Sequence, residues 1–382
     1  MILSDLLNFS FIFILLILLV VKFRLSHNVF LLLAGHLMLV FCLNYVLFSP
    51  HYLGDQFQYL EAVTFIRSGF FNFLHIQIST VSMAGIFMAL TPIPIANSIY
   101  ALSMGNVLVY IISYIVLLRK GILKGFNKLF YLLYPSFALY SAVALRDMWI
   151  TVFMLWSLYF VSKKKNALSV LVMLPLILIK PQNILIYVLS LVLYVVFIVK
   201  GAHKSKLVMV AVFSVFLIGF MSFFSVEKIN FFRGAMYAEN MRTENAADLT
   251  MDAYVPINNT VDLVRMGFTN AVYFMFKPFI WESRKPLQLV QSIENIVLAF
   301  IFIRLFLIKR KYKVKSAFLS FLVLYILIAF GIYGLVVFNF GTAVRYKFPY
   351  VVVFVVFYYY ELLRRQPLII NEKIFSLGKG KK

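Results

Sequence analysis

Residues 309–338 read KRKYKVKSAFLSFLVLYILIAFGIYGLVVF, a stretch in which five Lys or Arg precede an uncharged apolar run from Ser316 to Phe338. A helix needs ~20 mostly apolar residues to cross the hydrocarbon core. A cationic cluster at one end of such a run is the usual mark of its cytoplasmic flank. Working outward from this stretch, spans are expected at 6–23, 29–48, 95–118, 129–145, 148–161, 167–180, 183–200, 207–224, 289–308, 316–338 and 348–363. That makes about eleven transmembrane helices, of which 148–161 and 167–180 are short for a full crossing. The apolar stretch Val81–Leu90 ends at Thr91-Pro92-Ile93-Pro94 and reads as a re-entrant or interfacial segment, because two prolines remove donors and stop a helix.

Composition agrees. Of 382 residues, 63% are apolar and 13% charged, against about half and about a quarter in soluble domains. With a mean hydropathy of +0.94, this excludes a water-soluble domain, a disordered chain or a coiled coil. A single Cys excludes an internal disulfide framework. A transmembrane β-barrel would show short alternating segments, where this chain shows long unbroken runs. The expected class is therefore all-α: a polytopic helical membrane protein forming one integral domain over 1–382.

The formal net charge of +22 invites a nucleic-acid partner, but its placement argues for topology instead. With the N-terminus outside and the C-terminus cytoplasmic, the inner connections are 22–28, 119–128, 163–166, 200–206, 309–315 and a basic tail over 364–382. They hold 23 of the 36 Lys and Arg. No nucleic acid is expected. Two substantial segments then lie outside: 49–80, with an interfacial helix, and a large loop over 225–288 between spans 8 and 9. Residues 6–23 lack a basic leader and a small-x-small cleavage site, so they read as a first span rather than a signal peptide. No internal repeat of the inverted-transporter kind is visible.

The outer segments carry the polar chemistry. In the first, Gly54-Asp55-Gln56-Phe57-Gln58-Tyr59 opens a helix on which Asp55 and Tyr59 share a face. A carboxylate at the membrane surface suits a general base toward a sugar hydroxyl, or a divalent cation, or simply a helix start. Tyr134-Pro135-Ser136 with Ser141 leads to Arg146-Asp147, either an exposed turn between helices or an Arg aimed at a lipid pyrophosphate. Lys180-Pro181-Gln182 joins two short spans, and Lys180 suits a headgroup or a substrate phosphate. In the large loop, Arg233 and Tyr237 stand i, i+4 on a helix, with Arg242 further along; arginine suits bidentate phosphate binding. Lys277-Pro278-Phe279-Ile280-Trp281 resembles an aromatic interface anchor. Finally Gly341-Thr342-Ala343-Val344-Arg345-Tyr346-Lys347 places Arg345 and Lys347 outside, against the charge bias, for which anion binding beside a Gly-containing turn is one reason.

Other chemistries are missing from the sequence. There is no HExxH, GxSxG or P-loop pattern. The five His lack metal-ligand spacing. Away from their ends, the expected spans hold only His36, Glu294 and Arg304 as ionisable groups, few for an ion-coupled pump or channel.

Taken in order, Gly54-Asp55…Tyr59, Tyr134-Pro135-Ser136…Arg146-Asp147, Lys180-Pro181-Gln182, Tyr254-Val255-Pro256…Trp281 and Gly341-Thr342…Arg345-Tyr346…Pro349 resemble the polytopic polysaccharide-assembly proteins of bacterial surface-glycan clusters. These are the O-antigen or capsule polymerases of the Wzy type and the related GT-C-like glycosyltransferases. The R-x10-G pattern of some polymerase outer loops is not found in the outer segments 49–80 and 225–288. The resemblance implies a multi-pass protein of the bacterial inner membrane, a polyprenyl-linked oligosaccharide as substrate, membrane lipids and a chain-length regulator protein as partners, and no cofactor beyond a divalent cation. It implies that Asp55, Arg233 and Arg345 are catalytic, and that Tyr59, Arg146, Lys180, Tyr237, Arg242 and Trp281 bind substrate. A single-sugar transferase and a lipid-linked-oligosaccharide flippase are the alternatives.

Overall fold

The computed structural model describes residues 3–69, 79–197, 225–242 and 254–379; the expected span 207–224 lies outside them. The chain divides into two compact units, Met1–Ile184 and Leu185–Lys382. Both are helical, with an isolated bridge between Asn44 and Phe48 in the first. Among the described residues, five helices are long and apolar enough to cross a membrane.

The first unit contains α1 (Leu3–Phe23), α2 (His27–Leu43), α3 (Asp55–Arg67), α4 (Thr80–Ala89) and α5 (Ile99–Arg119). It continues with α6 (Phe126–Leu133), α7 (Pro135–Ser141), α8 (Asp147–Ser162), α9 (Asn166–Met173) and α10 (Pro175–Ile179). α11 (Pro181–Phe197) carries the chain across the unit boundary. Of these, α1 and α5 have spanning length. They run parallel: Ser98, the N-cap of α5, donates to Asp5 at the start of α1, while Arg119 at the end of α5 lies over the Phe23 ring at the end of α1.

Several expected spans are broken, and the breaks have sequence causes. The run 129–145 is two helices, because Pro135 starts α7 with Tyr134 extended before it, and α7 ends at Ser141. The run 167–180 is split at Leu174-Pro175. α4 is a ten-residue helix stopped ahead of Pro92, too short to cross. Its C-terminus is held by Arg67, which donates from Nε and Nη2 to the Ala89 carbonyl (3.1 and 3.0 Å), from Nη1 to that of Ile93 (2.7 Å), and also from Nη2 to that of Thr91. A guanidinium is suited to the orphan carbonyls of a helix end, where the dipole is negative. Burial against this turn lowers the Arg67 pKa.

The second unit contains α12 (Val226–Arg242), α13 (Thr260–Phe276), α14 (Pro286–Lys311), α15 (Ala317–Val336) and α16 (Phe340–Lys379). α14, α15 and the Phe340–Arg365 part of α16 have spanning length. The expected outer loop 225–288 is largely helical within its described residues. α13 packs antiparallel along α15: a Cβ at Gly267 would touch Leu335, one at Gly334 would meet the Asn270 carbonyl carbon at 2.6 Å, and Phe274 packs on Phe330. α16 begins at Phe340, so the expected outer turn around Gly341 is the first turn of that helix instead. Asn339 caps it, accepting from the Thr342 amide at 3.1 Å. Near the other end of the span, Glu361 is fully buried and accepts from Ser316 Oγ (2.6 Å), Arg364 Nε (2.7 Å) and Arg365 Nε (3.0 Å).

Candidate functional site

In the first unit the chain between α7 and α8, Ala142 to Arg146, is non-helical yet buried up to Leu145. Buried backbone without its own helix must find partners elsewhere, and polar side chains of neighbouring helices supply them. Asn106 Nδ2, in the middle of α5, donates to the carbonyls of Val143 (2.8 Å) and Leu145 (2.7 Å). Asn44 Nδ2 donates to that of Ala142 at 3.2 Å. Gln56 Oε1, on α3, accepts from the Ala144 amide at 2.8 Å. One side of α7 is fixed by His36, stacked on Tyr110 at 4.1 Å and bonded through Nε2 to Ser141 Oγ at 2.8 Å.

This pinned segment delivers Arg146-Asp147 to the break between α10 and α11. Arg146 Nη1 donates to the Ile179 carbonyl at 2.9 Å, and Lys180 Nζ lies 4.0 Å from Asp147 Oδ1. Asp147 and Lys180 are buried, so the reading of Arg146-Asp147 as an exposed turn is corrected. Arg146 itself is half-buried. Its Nε is buried without an acceptor among the described residues, and so is Trp149 Nε1 one turn along α8. Residues three apart share a helix face. The start of α8 thus combines the positive end of a helix dipole, two unfilled donors and the Lys180 ammonium, with one carboxylate balancing part of the charge. An anion fits this corner chemically.

The remaining expected residues of this unit sit on α3. Asp55 is its first residue and half-buried, and Tyr59 is buried. The inward face is Gln56, Tyr59 and Val63 rather than the face shared by Asp55 and Tyr59, with Gln58 exposed. Gln56 ties this helix to the segment that presents Arg146.

In the second unit Arg233 is fully buried on α12. Its Nε donates to the Leu335 carbonyl near the end of α15 and its Nη1 to the Val255 carbonyl, both at 2.8 Å. The guanidinium lies over the rings of Tyr254 (5.3 Å) and Phe338 (5.7 Å), the same two rings that Tyr237 meets one turn later. Nη2 has no partner among the described residues. Burial lowers the Arg233 pKa, and the neighbouring Tyr254 opposes that shift. Arg242 ends the same helix, with its side chain outside the described residues. Arg345 is half-buried in α16. Trp281, 82% exposed, stacks on Phe279 at 4.9 Å.

Asn44, Gln56 and Asn106 escape a search of the sequence that counts only ionisable groups inside spans. A buried amide inside a membrane helix is itself a functional flag, and Asn106 within an apolar run would have raised it. No group of three or more His, Cys, Asp or Glu suited to a metal occurs among the described residues. No known family model, curated protein or solved structure matches the chain.

Proposed function

We propose that this chain polymerises polyprenyl-pyrophosphate-linked oligosaccharide repeat units at the outer face of a bacterial inner membrane, with eleven spans, an outer N-terminus and a cytoplasmic C-terminus. The observation that carries the reading is the corner at the start of α8, where Arg146 and Trp149 hold buried donors without acceptors beside Lys180. An acceptor hydroxyl attacks the anomeric carbon, the bond from that carbon to the pyrophosphate oxygen breaks, and the pyrophosphate leaves with the electron pair. Arg146 and Lys180 stabilise the charge that develops there. Asp55, on the helix tied to the same segment through Gln56, takes the hydroxyl proton. Tyr59, on the same helix as Asp55, lines the acceptor side.

The test is deletion of the gene in the source organism, complementation with Arg146→Ala or Asp55→Asn, and a gel of the surface glycan. Collapse of a ladder to lipid core plus one repeat unit, with variant abundance unchanged, is the expected result. Loss of even the single unit would indicate an earlier transferase or a flippase. A ladder identical to wild type on deletion would remove the glycan reading.

A further inference from the structure

Beneath the turn that joins α13 to α14, an apolar pocket of about 290 Å³ runs along one flank of α14. Its walls include Phe276, Phe279, Trp281, Ile296, Phe300 and Ile303. The turn lies deep: Asn295 Nδ2 donates to the carbonyls of Phe276 and Lys277, each at 3.0 Å, which puts the end of α13 level with the tenth residue of α14. At 1.5 Å per residue that is ~14 Å below the α14 N-terminus. α13 and the turn therefore form a re-entrant excursion beside α14, and the pocket continues below it to Ile303.

Trp281, Ile296, Phe300 and Ile303 are all exposed. On a helix of spanning length such exposed apolar side chains meet hydrocarbon, not water. Above the pocket, Arg284 and Lys285 stand exposed just ahead of Pro286, at the positive end of the α14 dipole. Their backbone amides donate to Gln288 Oε1 at 2.8 and 3.3 Å, and both side chains carry positive charge. Lys277 lies 3.0 Å from Glu282 Oε1.

We propose that this flank of α14 is a binding site for an anionic diacyl phospholipid, with one acyl chain in the pocket and the phosphate at Arg284 and Lys285. The wall faces the bilayer, where diacyl lipid is in large excess, and the charge at the mouth selects an anionic head. Trp281 then acts as an interfacial aromatic over the chain rather than as a sugar platform.

The experiment uses the full chain, purified in micelles, with a photoactivatable phosphatidylglycerol whose label is mapped by peptide mass spectrometry. Label is expected on peptides covering 276–303. Ala299→Trp, which fills the pocket from its half-buried wall, should remove it. Arg284→Glu with Lys285→Glu, at exposed positions where folding is not at stake, should lower it by roughly thirtyfold or more, by replacing two attractions to the anionic head with repulsions. Equal labelling by a phosphatidylcholine analogue would reduce the finding to bulk lipid contact and overturn the site. Displacement of the label by an equal amount of polyprenyl phosphate would overturn the diacyl assignment. Label confined to other helices would overturn both.

Discussion

Lys347 Nζ donates to Asn295 Oδ1 at 2.5 Å and to the Met275 carbonyl at 3.2 Å, while Asn295 Nδ2 serves the next two carbonyls. Two side chains from α14 and α16 thus satisfy three successive carbonyls at the end of α13. Lys347 is fully buried, so a helix C-terminus, where carbonyls lack partners and the dipole is negative, accounts for its presence. The same device recurs. Arg67 holds the end of α4, Arg146 the end of α10 and Arg233 the last turn of α15. Of these, Lys347, Arg146 and Arg233 were expected outside the membrane for anion binding, and each is bonded to a helix end.

Asn295→Leu should therefore destabilise more than Lys347→Met. The first leaves a buried ammonium with one weak hydrogen bond, to the Met275 carbonyl, beside the Glu294 charge, at about 3–5 kcal/mol, and the second leaves acceptors unpaired at about 1–3 kcal/mol. Thermal unfolding in detergent orders them, and a reversed order would remove the capping account.

Gly334→Ala should cost about 1–3 kcal/mol, since the new methyl meets the Asn270 backbone and neither helix can shift without repacking. Gly35→Ala on α2 is the control: nothing lies within 4 Å of its Cβ position, so no loss is expected. The same unfolding assay compares them, and equal midpoints would mean that α13 does not press on α15.

Asp147→Asn and Lys180→Met should each be costly, about 3–5 kcal/mol, because each removes the ion-pair partner of a buried charge. Combined, they should cost clearly less than the two losses added. Additive losses in a double-mutant cycle would show that the 4.0 Å pair contributes no coupling.

Arg233→Lys should lower stability by about 1–3 kcal/mol despite the retained charge. A single ammonium cannot serve the Leu335 and Val255 carbonyls and lie flat over Tyr254 at once. Tyr254→Phe keeps the ring but loses the hydroxyl bond to the Asn230 carbonyl at 3.0 Å, so its loss should be smaller. Wild-type stability of Arg233→Lys would show that the clamp carries no weight.

The pairing of Arg233 with Tyr237 was legible from i, i+4 spacing, and both meet Tyr254 and Phe338 as one face. The breaks at Pro135, Pro175 and Pro181 were equally local, because proline denies a helix its donor wherever it stands. Lys180 could be placed at a break, but nothing nearby in sequence pointed to Asp147, thirty-three positions earlier. The helix start at Phe340 was hidden as well: Gly341 looked like a turn, and Asn339 as a cap became visible only with the helix formed.

By itself the sequence determined an all-helical chain with apolar runs of spanning length, since burial of so many aromatic and aliphatic side chains without water-facing charge has few solutions in physics. Its prolines carry local causes for the breaks at Pro135 and Pro175, although the runs 129–145 and 167–180 read as continuous spans. Tertiary structure alone decided which carbonyl each cation meets, because a long side chain reaches any acceptor that packing brings within about 3 Å, and sequence separation says nothing about that. It also decided that Ala142 to Arg146 is a buried, pinned segment. Asn44 just after α2, Gln56 on α3 and Asn106 on α5 are scattered along the chain, and only their assembly around one stretch of backbone turns amides into a site.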